Sequence, residues 1–257
     1  MKIKFILLGT GSSMGVPRAD GFFGNCDPMN KKNYRTRCSA LISTGYSNTL
    51  IDTSPDIRQQ LLSKKISTID KVLYTHMHAD QTHGINELRV FYLNNKKKIP
   101  IYCDKITAKY LKANFSYCFI KNYDYPPILD LKILKNSSTL MSVNKDINVR
   151  AVPVRHGLID SVAYIINEKL AYISDANQLY NKDIKYFVNL KYLVIDCLRL
   201  KKHSSHFNLK DVLKIVSLLK PKKTVLTNLH SDLDYNHLLK TLPNNIKPGY
   251  DGLSLNI

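Results

Sequence analysis

Thr75-His76-Met77-His78-Ala79-Asp80-Gln81 follows directly on the apolar run Lys71–Tyr74, and this junction decides how the chain is read. Side chains alternate across an extended backbone, so His76 and His78 point the same way and can both reach one metal ion. Asp80 and Gln81 fall where the chain should be turning, in position to face a second ion. Imidazole and carboxylate ligands suit zinc, manganese or iron, and a catalytic centre must keep one position open for water. His-x-His alone is a weak signal. His-x-His-x-Asp at a strand end, followed by His83-Gly84, is much stronger. It still supplies too few ligands for two ions. His156, Asp175 and His230 each stand just after a predicted strand, where a layered α/β fold can gather residues distant in sequence.

Outward from this junction, short apolar runs recur. Strands are predicted over Lys2–Leu8, Ile147–Val154, Tyr192–Ile195 and Thr224–Leu226, with a hairpin pair Ala40–Ile42 and Thr49–Ile51 around Thr44-Gly45-Tyr46. Val162–Ile166 and Leu170–Ile173 alternate across a turn at Asn167-Glu168. Helical spacing appears in Asp56–Ser63 behind Ser54-Pro55, and in Leu209–Leu219, which Asn208 should cap and Pro221 should stop. Two packed sheets with helices outside fit this order. No repeat or linker divides the chain, so residues 1–257 are read as one domain.

Composition narrows the class. Hydrophobic residues at 44% and charged residues at 23% are globular values, enough for a buried core. No stretch reaches the ~18–20 apolar residues of a membrane helix, and the apolar run after Met1 is too short for an export signal. Five cysteines without a Cys-x-x-Cys pair fit a reducing cytoplasm and small, half-buried hydrophobic roles. The net charge of +18 invites a nucleic-acid reading, but the lysines are dispersed and no aromatic–basic stripe accompanies them. Compositional drift is the simpler reading, and an anionic substrate the next.

The ordered set of motifs resembles the metallo-β-lactamase superfamily. Within it, the chain is similar to the branch of phosphoribosyl cyclic phosphate phosphodiesterases and tRNA 3′-processing endonucleases. The resemblance runs through Leu8-Gly9-Thr10-Gly11-Ser12-Ser13, Arg35-Thr36-Arg37-Cys38-Ser39, Leu50–Asp56, Thr75–Gly84, Arg155-His156-Gly157, Ile173-Ser174-Asp175, Ser205-His206 and Leu226–His230. It implies a four-layer αββα sandwich holding two divalent ions, zinc or manganese. It also implies that His76, His78 and His156 bind the first ion, that Asp175 bridges, and that Asp80 and His230 bind the second. Gln81 departs from the family pattern, which has His there. Its carbonyl oxygen can ligate but is a weaker donor for zinc-like ions, so the second position should be looser, more oxygen-rich, tilted towards manganese, or empty. His83 is expected to pack nearby rather than ligate. The region Gly24–Pro28 holds one cysteine where related phosphodiesterases cluster several, and no structural zinc is expected.

The resemblance implies hydrolysis of a cyclic or nucleotide-like phosphodiester. Cations bracketing a water lower its pKa from 15.7 to about 7, making the metal-bound hydroxide the expected attacker. His206, in His203-Ser204-Ser205-His206, matches the branch's catalytic His and is expected to contact phosphate and protonate the leaving oxygen. His203 is a second candidate for substrate contact, Asp80 is expected to serve catalysis as well as the metal, and His237 is read as surface. The expected partner is a small phosphate ester or nucleotide, with a homodimer as the assembly. One rival is a tRNA 3′-processing endoribonuclease, which the charge favours, although no long Gly/Pro-rich insertion is present. A β-lactamase or thioesterase fits the His206 segment less well. The rival of a different class is a catalytically weak nucleotide-binding protein.

Overall fold

Alternation inside the apolar strands dictates the layering. In a computed structural model describing residues 3–121, 123–134 and 140–257, the first sheet holds β1 (Lys4–Gly9), β2 (Ser39–Ser43), β3 (Asn48–Ile51), β4 (Lys71–Leu73), β5 (Ile99–Cys103) and β6 (Leu129–Ile133). The second holds β7 (Leu140–Asn144), β8 (Ile147–His156), β9 (Ile159–Ile166), β10 (Leu170–Ile173), β11 (Gln178–Leu179), β12 (Tyr192–Asp196), β13 (Lys223–Thr227) and β14 (Ile246–Pro248). The chain then returns to the first sheet with β15 (Ser254–Asn256), beside β1. Lys2, where the first strand was expected to begin, lies outside the described residues.

Successive side chains of β12 show why two sheets stack. Tyr192 and Val194 enter a core shared by both sheets with Phe5, Leu7, Ile42, Ile51, Leu73, Val149, Tyr164 and Tyr172. Leu193 and Ile195 face the other way, into a second core with Val212, Val216 and Leu219. These last three lie along α5 (Leu209–Leu219), and α6 (Tyr235–Thr241) adds Leu238 to the same layer. On the opposite outer face, Leu41, Leu50, Val72 and Ile101 meet α1 (Ile57–Ser63) through Ile57 and Leu61, α3 (Arg89–Asn95) through Phe91, and α4 (Lys105–Asn114) through Ala108 and Leu111. A strand apolar on both faces must be covered on both, and helix–sheet–sheet–helix is the result. Each buried Leu, Ile or Phe contributes about 1.5–3 kcal/mol. The layers are those of the αββα sandwich expected from the sequence.

Topology places the loops that matter on one edge. β3, β4, β5 and β6 run parallel, and two antiparallel steps give β1 the same direction. In the second sheet β10, β12, β13 and β14 are parallel, and two antiparallel steps align β8 with them. The C-terminal ends of β1, β4, β8, β10, β12 and β13 therefore carry the chemically equipped segments. The sheets are tied together there. Val162 N–H donates to Thr75 O at 2.9 Å and Leu229 N–H to Thr10 O at 2.8 Å. Asp251 closes the opening loop, accepting from the backbone N–H of Thr10 (2.9 Å) and of Thr36 (2.7 Å) and from both hydroxyls.

Candidate active site

β4 ends at Leu73, and the extended backbone continues through Tyr74 and Thr75 to His78, which precedes the single turn α2 (Ala79–Thr82). Asp52 anchors the start of this segment, accepting from the N–H (2.7 Å) and hydroxyl (2.8 Å) of Thr75. With its hydrogen given to Asp52, the Thr75 oxygen accepts from His76 Nδ1 at 3.0 Å, leaving a lone pair on Nε2. His156, the last residue of β8, is set the same way. Its Nδ1 lies 2.7 Å from Ser205 O, a carbonyl that only accepts, so its Nε2 is also free to ligate.

Those free nitrogens converge. His76 Nε2 lies 2.9 Å and His156 Nε2 3.2 Å from His78 Nδ1. Tetrahedral zinc with bonds near 2.05 Å spaces its nitrogens by roughly 3.4 Å, so these three donors fit one cation with little adjustment. Burial pushes His76 down to about 3 and also lowers His78 and His156, keeping all three in the neutral form that binds metal. Asp175, two residues past β10, is buried beside them. Burial opposes its charge, yet its carboxyl is held below the usual carboxylate range, with His206 as the neighbouring imidazole whose own shift favours a positive charge.

Asp80 and Gln81 stand opposite. Burial and the charge of Asp175 raise Asp80 to about 6. The Gln81 side chain is fully buried, and its Nε2 donates to Asp80 Oδ2 (3.2 Å) and Asp175 Oδ2 (3.3 Å). His230 lines the same cavity of about 250 Å3, together with Ser12, Met14, His78, Asp80 and His203. It is less closely gathered. Among the described residues, the ligand atoms that converge tightly are those of His76, His78 and His156, and of His156, Asp175 and His206. His230 instead directs Nδ1 at Asp232, 3.0 Å away.

His206 occupies the other wall. Its Nδ1 lies 2.8 Å from Asp196 Oδ2 and 3.2 Å from Asn228 Nδ2, and its ring packs at 4.7 Å from His156 and 5.1 Å from His203. Burial opposes the imidazolium, but Asp196, with help from Asp175 and Asp80, pushes it up to about 9. That direction favours the imidazolium, while burial raises its partner Asp196 to about 7. His203 lines the cavity with Nδ1 turned to Ser205. His83 turns away, bonding Tyr110 at 3.0 Å and packing on Phe115, and His237 is exposed.

Three contributors were given no role in the sequence reading. Asp196 is the last residue of an apolar strand and sits ten positions before its imidazole partner. Asn228, at φ 60°, reaches Ser174 O and Asp175 Oδ1, both at 3.1 Å. Arg35 is a buried guanidinium that donates to Leu233 O (2.7 Å), His230 O (3.3 Å) and Asn33 Oδ1 (3.1 Å), fixing the loop that presents His230. It also approaches Cys26 Sγ at 3.8 Å, and all five cysteines are buried free thiols.

The sequence pattern of the β-lactamase superfamily domain matches residues 47–228, which span the His-x-His-x-Asp turn, His156, Asp175 and His206. The chain belongs to the β-lactamase superfamily. Members of this superfamily with the present fold are metal-dependent hydrolases, and the cluster built on β4, β8 and β10 fits that chemistry. A diphosphatase of the PhnP family is 28% identical over 99% of this chain and 98% of its own, with a TM-score of 0.90. Zinc-bound PqqB from Methylobacterium extorquens shares the fold at TM-score 0.80 and 16% identity, over 99% of this chain and 100% of its own. An octanoyltransferase of Porphyromonas gingivalis (strain ATCC BAA-308 / W83) is 31% identical over 98% of this chain. The chain spans 51% of that relative's length. No helix among the described residues is long and apolar enough to cross a membrane.

Proposed function

We propose that residues 1–257 form one hydrolase domain that cleaves a small cyclic or nucleotide-like phosphodiester. The observation that carries this reading is the His206–Asp196 pair, in contact at 2.8 Å and set across a 250 Å3 cavity from three converging imidazoles. An alkoxide is a poor leaving group, and a positioned imidazolium supplies the proton it needs. Thioester hydrolysis has less use for such an acid, because a thiolate departs without a proton. The 28% identity to a diphosphatase supports phosphoryl chemistry.

In this reading His76, His78, His156 and Asp175 hold a first divalent ion, zinc or manganese. Asp80 and His230, with Asp175 shared and Gln81 alongside, form a second position. Ions bound there supply an activated water and positive charge for the phosphoryl oxygens. The chain's own residues do the rest. Asp80 orients the attacking water. His206 contacts a phosphoryl oxygen and gives its proton to the leaving oxygen, and Asp196 keeps that proton on the ring between turnovers. His203 lies along the same wall to meet the substrate. The Thr75–Asp52 and Ser205 contacts hold the imidazoles in their ligating tautomers. Five free thiols fit a cytoplasmic setting.

The test is hydrolysis of bis(p-nitrophenyl) phosphate and of 2′,3′- and 1,2-cyclic phosphates by protein of measured metal content. Turnover dependent on the metal is expected. Metal-replete protein that hydrolyses none of them would sink the proposal, and selective cleavage of a tRNA precursor instead would move it to the endoribonuclease reading.

A further inference from the structure

We propose that Gln81 makes the metal centre unequal: one ion is resident at His76, His78 and His156, and the second position is held shut by the Gln81 amide until an exchangeable ion displaces it. This rests on the metal-hydrolase reading above and specifies how that site is loaded.

The two halves of the centre are prepared differently. The three imidazole nitrogens of the first half already converge, with His76 Nε2 at 2.9 Å and His156 Nε2 at 3.2 Å from His78 Nδ1. The second half already contains a donor. Gln81 Nε2 stands between Asp80 Oδ2 and Asp175 Oδ2, at 3.2 and 3.3 Å, and each of its two hydrogens is used on one carboxylate. A cation joining Asp80 to Asp175 needs the same lone pairs. Before it can bind, the amide must let go or turn over.

The other end of the amide shows that the arrangement has a cost. Gln81 Oε1 is buried and has no hydrogen-bond partner. A lost partner at such an atom is destabilising, so something must compensate. The compensation is electrostatic: without the NH2 group two buried carboxylates would face each other directly. Turning the amide through 180° would aim Oε1 at both of them, which is favourable only when a cation stands between. The backbone gives no alternative, because Gln81 N–H bonds His78 O and Gln81 O accepts from Thr53 N–H, so the residue cannot withdraw. His230, the remaining donor of this half, is turned to Asp232 and lies outside the tightly converging groups.

Metal stoichiometry tests this without relying on turnover. Chelator-stripped protein is reloaded with excess Zn2+ or Mn2+, desalted and assayed for metal by mass spectrometry, with titration calorimetry for the two affinities. The wild-type chain should retain about one equivalent and bind the second about 100-fold more weakly, at the upper end of what neighbouring polar groups do to metal affinity. Gln81→His, which replaces the amide by a ligand, should retain about two and narrow the gap to within roughly tenfold. Gln81→Glu keeps the side-chain length but removes the hydrogens, and should also retain about two. Wild-type protein retaining two equivalents of similar affinity overturns the inference, as do both variants behaving like wild type. One retained equivalent without phosphodiester turnover overturns the phosphodiesterase reading and leaves the inference standing. Retention of no metal overturns both.

Discussion

Asp196→Asn isolates the charge behind the proposed proton donor. Asp196 Oδ2 accepts from Ala176 N–H at 2.9 Å and faces His206 Nδ1 at 2.8 Å, while Oδ1 is buried with no partner. An asparagine with its oxygen in the Oδ2 position keeps both contacts and puts its NH2 where nothing was bonded, so shape is retained and the negative charge is lost. Burial alone would depress His206, yet Asp196 and its neighbours push it from 6.5 up to about 9. That rise corresponds to about 3 kcal/mol favouring the imidazolium. The sign follows directly. A general acid works while protonated, so activity is present below the His206 pKa and lost as pH rises through it. Without Asp196 the alkaline limb of kcat/KM should move down by about two pH units, and activity at pH 7.5 should fall about fourfold. Bound cations act on His206 alike in both proteins, so the displacement of the limb is the predicted quantity. The assay compares an alkyl phosphodiester with a p-nitrophenyl ester, whose phenolate departs without a proton. The loss should be large for the first and small for the second. Equal losses on both substrates, or an unmoved alkaline limb in metal-replete protein, would refute the reasoning.

Other outcomes follow from the same geometry. His76→Ala removes the fully buried imidazole of the converging three and should abolish retention of the first ion, measured by metal analysis after desalting. His206→Ala should keep that ion and lose about 10²–10⁴-fold in turnover, the usual contribution of a general acid; wild-type rates would remove His206 from the chemistry. Arg35→Met leaves Leu233 O, His230 O and Asn33 Oδ1 without their buried donor and should cost about 3 kcal/mol in urea denaturation, each orphaned group costing ~1–3 kcal/mol, partly offset by removing a buried charge. Ile195→Ala, in the core beneath α5, should cost about 2–5 kcal/mol without changing metal stoichiometry.

What could be read beforehand was what is local. His76, His78 and Asp80 alternate within a five-residue stretch just past a strand end, so their joint placement needs no tertiary knowledge. The helix Leu209–Leu219 was legible to the residue, because Asn208 caps the N–H of Asp211 and Lys220 ends it in a left-handed conformation before Pro221. His156, Asp175 and His206 could be named from their positions after strands and the family resemblance, but not placed. The edge strands β6 and β14 escaped notice, although Leu129–Ile133 alternates cleanly as Leu-Asp-Leu-Lys-Ile; β14 is only three residues long and ends in Pro248. Helices α4 and α6 did carry a signal, the caps Asp104 and Asp234, without a clear apolar stripe behind it. Asp196 and Arg35 were left without a role for a different reason. Each takes its meaning from a partner reached through the fold: an acidic residue closing a strand looks ordinary in sequence, and Arg35 was quoted only as part of the Arg35–Ser39 motif.

The grip of Asp251 on Thr10 and Thr36 bears on how the molecule comes into being. Those contacts join residues 241 and 215 positions apart, and the loop they close supplies Ser12 to the cavity wall. Pairings so distant form late, because the entropy of closing a long loop must be met before the contact gives anything back. The imidazoles of β4 and β8 can therefore be in place while the cavity still lacks its roof. During synthesis the three histidines of this cluster emerge well before Asp251, so they can gather before the loop that carries Ser12 is fixed.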